Sequence, residues 1–326
     1  MFKKTLIAST LLALFSNAAL AADKVRWLND WLPAGDKAVI YLGVEKGLFA
    51  AEGIEVDIAS ARGGSDVVTK LATASADFGS AGLASVLQAK AQGEVPVVAV
   101  APIYNKQPDA FFTAESSGIQ SFQDIVGKTV ATPTFSASNV VWPLLLESNG
   151  LDRDSVKLLK VDPGALAPML ATGKVDATIN WVTVAPGFAR ALSEAGTQLK
   201  VIPWSNYGFE GYGLSLVASE RFLEAKPDVA KKFVRAYRKA QEMAIADPAA
   251  AAAALKNQVA EVDEQQAVEQ FTASIPLMQN EISATEGTTA FDSKRLSITW
   301  QWVAKAQGLP ADSLDPSKAI APGYTE

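Results

Sequence analysis

The side chains available for chemistry in this chain are carboxylates, lysines, hydroxyls and aromatic rings, because it contains no histidine and no cysteine. Without imidazole or thiol there can be no Ser–His or Cys–His nucleophile pair and no imidazole or thiolate metal site. What the sequence does offer is a set of polar and aromatic residues where apolar runs give way to loops. Asp30 and Trp31 form the first group, Ser65 and Asp66 follow Gly63-Gly64, and Ser80-Ala81 follows Phe78-Gly79. Thr134, Phe135, Ser136 and Ser138 form the next, then Asn180 and Trp181, and finally Tyr207, Glu210 and Tyr212 within NYGFEGY at 206–212. Ring faces stack on flat molecules, and Asp30 and Glu210 can accept bonds from ring N–H or amino groups. The set is poor in cations, with Arg62 the nearest. A sulfonate or nitrate would ask for several N–H donors and usually an Arg or Lys, although helix N-termini could stand in for that cation. The chemistry indicated is capture of a small flat (hetero)aromatic solute, without turnover, cofactor or metal. An aliphatic sulfonate, taurine or nitrate-type anion is the second reading.

Several of these residues have a plainer use. Ser65, Asp66, Ser136 and Ser138 suit helix N-caps, and Arg62 suits a surface ion pair. Trp27 alternates along a strand and reads as core. Trp142, Trp300 and Trp302 lie in helical patterns and read as packing.

The elements that must position the loops come from an internal echo. LATASADFG at 71–79 returns as LATGKVDAT at 170–178, 99 positions later, without a gap. Its surroundings repeat too. Gly53-Ile54 and Gly150-Leu151 occupy equivalent places, each glycine ending a helix before a strand, at 55–61 and 156–161. Strands running into polar loops are expected at 25–31 and 128–134, and further strands at 95–102 and 199–203. Each copy reads as strands alternating with helices, which gives an α/β lobe with a parallel-rich sheet covered on both faces. Asp77 and Asp176 are read as turn or cap residues of the echo. In open α/β sheets ligands bind beyond the carboxyl ends of the strands, so two such lobes should face each other across a cleft and close on the solute. Residues 213–326 do not repeat. They read as helices, two of them around Pro227 and another built on the alanine run 249–254 after Asp247-Pro248.

The N-terminus reads as a cleaved export signal. Lys3 and Lys4 precede an apolar run, and Ala19-Leu20-Ala21 supplies small residues at the two positions a signal peptidase reads. The run is about half the roughly 20 residues a membrane span needs. The chain has 29 Lys+Arg against 35 Asp+Glu, and losing both signal lysines makes it more acidic. That balance, without a basic stripe, argues against nucleic acid and anionic membrane surfaces as partners. At roughly 150 residues per domain the remainder fits two, and a soluble monomer is expected.

Taken together, DWLP at 30–33, EKGLFAAEGIEV at 45–56, ADFG at 76–79, GKVDA at 173–177 and the Phe222–Pro227–Ala236 pattern resemble periplasmic solute-binding proteins of ABC importers. The branch resembled is the nitrate/sulfonate/taurine and thiamine-pyrimidine-synthase-like one, over essentially the whole mature chain. The resemblance implies a type II periplasmic binding protein fold, two α/β lobes around a cleft with a two-crossing hinge. Lobe one would hold 22–106 and 213–326 and lobe two 107–212, with hinge crossings near 103–112 and 205–213 and the C-terminal helices returning to lobe one. It implies a periplasmic location and, as partners, an inner-membrane ABC permease with a cytoplasmic ATPase. A sensor subunit feeding a membrane kinase would look the same in sequence. Enzymes resembling this chain use histidine and a cysteine-rich iron motif, which it lacks. The crossing NYGFEGY is similar to a Tyr-Gly segment of the thiamine-pyrimidine branch, and Asp30, Trp31, Trp181 and Tyr207 are expected to converge on one ligand. Intact mass of protein recovered from the periplasm should correspond to a chain beginning at Ala22; a mass retaining 1–21 would exclude export with cleavage there.

Overall fold

A computed structural model describes residues 22–325, so the expected signal at 1–21 lies outside the described residues. Ten strands alternate with helices: β1 (Asp23–Asn29), β2 (Ile54–Ser60), β3 (Phe78–Gly82), β4 (Val97–Pro102), β5 (Asp109–Ala114), β6 (Thr129–Pro133), β7 (Lys157–Val161), β8 (Ala177–Trp181), β9 (Leu199–Pro203) and β10 (Leu214–Ser219). They form two five-stranded sheets, ordered β2-β1-β3-β10-β4 and β7-β6-β8-β5-β9. The sheets are copies of each other. β1 pairs in parallel with β2 and β3, and β6 in parallel with β7 and β8. The echo fixes the register of this repeat, since β3 starts at Phe78 and β8 at Ala177, the same 99-residue offset.

The physical reason for the echo is visible at its aspartates. Asp77 accepts the backbone N–H of Arg26 on β1 (2.9 Å) and pairs with the Arg26 guanidinium (2.6 Å). Asp176 accepts the backbone N–H of Thr129 on β6 (2.8 Å). In each lobe one carboxylate entering the third strand ties it to the first. They are structural residues, as read. Gly53 and Gly150 precede the second strands at φ 75° and 74°, a left-handed conformation that stops the preceding helix without a Cβ penalty.

One strand per sheet was not contained in the repeat. β5 and β10 run antiparallel to their neighbours. Each is the first strand after the chain leaves the other sheet, β5 after 103–108 and β10 after 204–213. A strand arriving from the facing lobe enters the sheet from its opposite end, so antiparallel pairing is the geometry available to it.

The C-terminal helices divide in two. Pro227–Ala246 and Pro248–Gln258 cover lobe one against Ala38–Glu45, the alanine run packing as an ordinary helix capped by Asp247. Two others reach both lobes, beyond the expected return to lobe one. Glu264–Met278 packs on the 3-10 turn Gly35–Lys37 of lobe one and on Val182–Val184 and Ala185–Glu194 of lobe two. Ser293–Ala306 lies against Leu83–Gln92 and Ser138–Ser148, inside an apolar cluster continuous through both lobes. Trp300 anchors that helix, buried and donating its indole N–H to the Ala311 carbonyl (2.7 Å). Trp27 and Trp142 are core as read, and the half-buried Trp302 packs on Phe209.

Trp300→Ala is expected to cost about 3–5 kcal/mol of stability, as large-to-small core substitutions do, while leaving the cleft geometry alone. Thermal melting followed by ligand titration checks both halves of that statement.

Candidate ligand-binding site

The wall of the cleft on lobe one is built from the end of β1. Asn29 is buried, taking the indole N–H of Trp27 on its oxygen (2.8 Å) and donating to the Tyr41 hydroxyl (3.2 Å). That fixes the strand end and aims the next residue, Asp30, at the cleft. Ser80 at the neighbouring strand donates to Asp30 Oδ1 (2.9 Å) and accepts the Asp30 N–H (3.3 Å). The chain then enters the turn Gly35–Lys37, held by donation from the Gly35 N–H to Gln270 Oε1 (2.8 Å) on helix Glu264–Met278.

This turn delivers a buried charge cluster. Lys37 Nζ lies 2.9 Å from Asp30 Oδ1 and 3.3 Å from Asp36 Oδ2, with the three side chains 2 %, 6 % and 1 % exposed. Burial by itself would lower the pKa of the ammonium, but the attraction of Asp30 and Asp36 outweighs it and raises the value above that of an ordinary lysine. Lys37 is therefore a fixed cation.

Lobe two supplies the facing wall from the end of β8. Trp181 donates its indole N–H to Asp109 Oδ1 (3.2 Å), which also takes a short hydrogen bond from the Ser138 hydroxyl. Lys37 Nζ sits 5.1 Å from the centroid of Trp181, a cation–π distance. The two tryptophans reach across reciprocally. Trp31 of lobe one packs on an apolar cluster of lobe two, and Trp181 of lobe two packs on the lobe-one core beside Tyr104. The lobes also touch through polar contacts. Thr183 Oγ1 donates to Asp36 Oδ2 (2.9 Å), and the Ser65 N–H donates to the Phe135 carbonyl (3.1 Å). Gly63, at φ 145°, makes that approach possible, since a Cβ there would sit 2.2 Å from the Phe135 oxygen.

Between these walls is a cavity of about 400 Å³ of space between atoms, including the part that opens to solvent. Asp30, Trp31, Asp36, Lys37, Asn180 and Trp181 line it, with Ser136 and the glycines 63–64. Among the described residues, Asp36 Oδ1, Asn180 Oδ1 and Lys37 Nζ are buried there without a hydrogen-bond partner, Asn180 Nδ2 being given to Thr178 Oγ1 (2.7 Å) and Lys37 being held by its ion pairs. A carboxylate oxygen can only accept. An orphaned acceptor facing a cavity calls for a donor from whatever occupies it.

Of the residues expected from sequence, Asp30, Trp31, Ser136, Asn180 and Trp181 meet at this cavity. Ser80 stands behind Asp30 as its support. Ser65 turns its hydroxyl to Ser85 (3.4 Å) and offers the cleft only its backbone contact with Phe135. Thr134 lies at the outer rim with Arg62 and Phe135, its hydroxyl on the Val161 carbonyl (3.3 Å). Asp66 bonds the Arg62 N–H (3.0 Å) and Lys70 (3.0 Å), and so serves the helix.

The crossing NYGFEGY departs from expectation. Tyr207 does not join Asp30, Trp31 and Trp181, because its hydroxyl accepts the Phe122 N–H (3.1 Å) and its ring packs on Phe122 inside lobe two. Glu210 is exposed and outside the cavity lining. Tyr212 is buried behind Trp181, its hydroxyl accepting the Asp292 N–H (2.7 Å) and its own pKa pushed up to about 12 by burial. Gly208 and Gly211 take φ 83° and 120° here, and the segment turns Phe209 and Tyr212 inward. Asp36, Lys37, Asp109 and Thr183 were not singled out in sequence. The one signal for the first two was a pair of adjacent opposite charges directly before the apolar run AVIYLG.

Asp109 generates a pH test. Burial pushes its pKa from 3.8 up to about 6, against the opposing bonds from Ser138 and Trp181. Between those values the folded chain holds a proton that the unfolded chain releases, so this group's contribution to stability falls as pH rises from about 4 to 6 and is level above. Asp109→Asn should therefore gain on the parent by about 1–3 kcal/mol above pH 6, the two converging towards pH 4. Melting curves across that range decide it; a constant offset would mean the carboxyl titrates normally.

The NMT1/THI5-like family model matches residues 35–251. The formylaminopyrimidine-binding protein of Halalkalibacterium halodurans is 26% identical over 229 residues, covering 70% of this chain and 68% of that protein. The riboflavin-binding protein RibY of Chloroflexus aurantiacus is 26% identical over 313 residues, 93% of this chain and 86% of that one. The 4-amino-5-hydroxymethyl-2-methylpyrimidine phosphate synthase THI13 of Saccharomyces cerevisiae is 25% identical, with 70% and 69% covered. Among solved structures, the alkanesulfonate-binding protein SsuA of Xanthomonas axonopodis pv. citri bound to MOPS superposes with a TM-score of 0.71 at 17% identity, covering 93% of this chain and all of that one. At that identity the likeness speaks for the fold, a periplasmic binding protein fold of two α/β lobes. A family match over most of the chain, joined to this doubled five-stranded topology, places the chain in the NMT1/THI5-like family.

Proposed function

We propose that this chain is the extracytoplasmic solute-binding component of an ABC importer, and that it captures a small flat heteroaromatic solute whose edge presents N–H donors. The observation that carries this reading is the cavity between two tryptophans, with Asp36 Oδ1 buried on its wall and no donor to satisfy it. A flat ring between Trp31 and Trp181 would replace water on both faces, and an amino or ring N–H would satisfy the orphaned acceptor. Relatives described as binding a formylaminopyrimidine and riboflavin, both flat nitrogen heterocycles, support the same class.

In this reading the site residues are Asp30, Trp31, Asp36, Lys37, Ser136, Asn180 and Trp181. Lobe one (22–106 with 213–326) and lobe two (107–212) close over the solute and present it to an inner-membrane permease with its ATPase. The precursor is exported, with the signal removed after Ala21. The protein does no chemistry on its ligand: a synthase relative exists, but this chain has no histidine or cysteine, and the Lys37 amine is held as an ion-paired cation rather than a free nucleophile. The anion reading has less support. Lys37 is the only cation among the described lining residues, and its charge is already engaged by Asp30 and Asp36.

The solute can be identified by mass spectrometry of small molecules released from periplasmically produced protein on mild denaturation. An alkanesulfonate in that fraction would replace the heteroaromatic reading. With the solute in hand, Trp31→Ala and Trp181→Ala should each weaken binding by about 2 kcal/mol, roughly 30-fold. Titration calorimetry reads this directly, and unchanged affinity in both variants would place the site elsewhere.

A further inference from the structure

We infer, resting on the reading of the cleft as a heteroaromatic site, that the solute is bound as a cation: a planar ring that is protonated or quaternised on nitrogen, or an amidinium. Charge balance in a buried place requires it. Two carboxylates, Asp30 and Asp36, and one ammonium, Lys37, line the cavity, each side chain no more than 6 % exposed. The wall therefore carries one more negative than positive charge. Asp109, fully buried behind Trp181, adds a third carboxyl and no cation.

An uncompensated buried charge is costly, so a protein either pairs it or leaves it for a ligand to pair. The other arginines nearby are not available to do so. Arg62 is exposed at the outer rim, and Arg26, in the middle of β1, forks onto Asp77. Thr183 offers Asp36 one neutral hydroxyl on Oδ2, which leaves Oδ1 without a donor. A cation placed between Trp31 and Trp181 would neutralise the excess, give an N–H to Asp36 Oδ1 and gain the attraction of both ring faces, much as Lys37 already does on Trp181. The same wall would repel an anion.

The test uses a matched pair of probes with the intact mature chain. 4-Aminopyrimidine is neutral near neutral pH, and 4-amino-1-methylpyrimidinium carries a fixed charge on nearly the same shape; methanesulfonate, a permanent anion, is the control of opposite charge. The fixed cation should bind at least about tenfold tighter than the neutral ring. Asp36→Asn, which keeps the side-chain shape and removes one charge, should reduce that ratio to near one. A second measurement needs no variant. Binding of 4-aminopyrimidine, followed by calorimetry in buffers of different ionisation enthalpy, should take up close to one proton per ligand. Equal or tighter binding of the neutral ring without proton uptake overturns the cation and leaves the heteroaromatic site standing. Binding of methanesulfonate alone, or of none of the three, overturns both.

Discussion

Lys37 Nζ lies 2.9 and 3.3 Å from two buried carboxylates, and several distant segments of the molecule converge to hold it there. An ammonium can be desolvated only if its partners are fixed, because the Coulombic return vanishes when they move. Asp30 is fixed by Ser80 across the sheet and by the rigid end of β1, where Asn29 ties Trp27 to Tyr41. Asp36 is fixed by Thr183 from the opposite lobe, and the turn carrying Asp36 and Lys37 is gripped by Gln270 more than 200 residues downstream. The cluster is thus shared by the first strand, a C-terminal helix and the facing lobe.

That sharing joins closure to the site. The two lobes meet through Thr183 and Asp36, through Ser65 and Phe135, and through tryptophans packed on each other's cores. On one side of the molecule helix Ser293–Ala306 carries an apolar cluster across the boundary, and on the other the helix Glu264–Met278 touches turns of both lobes. A solute bound at Asp36 and Trp181 would contact the same groups that hold the lobes together. Binding and closure then draw on one set of interactions.

Much of the fold was legible in the sequence for a reason that concerns local chemistry. The echo at 71–79 and 170–178 repeats because each copy must end a helix, turn, and tie its third strand to its first through an aspartate. Glycine stops and alternating apolar runs likewise act over a few residues. The antiparallel strands β5 and β10 were not legible as such. Their direction follows from which end of the sheet the crossing chain reaches, and no local pattern encodes that.

The site divides along the same line. Sequence by itself determined the compartment expected, the absence of imidazole and thiol chemistry, the doubled α/β architecture, and that Asp30 and Trp31 sit on a loop after a strand; Asn180 and Trp181, expected on a loop, are the last residues of β8. Only the tertiary structure decided that Tyr207 and Tyr212 turn into the cores, that Glu210 stays outside, and that Asp36, Lys37 and Asp109 are buried together with them. Burial of a charge is a property of everything packed around it, and here those neighbours come from residues 30, 80, 183 and 270. Adjacent opposite charges in a sequence normally describe a solvated surface. They become the floor of a cleft only when distant segments close over them and remove the water.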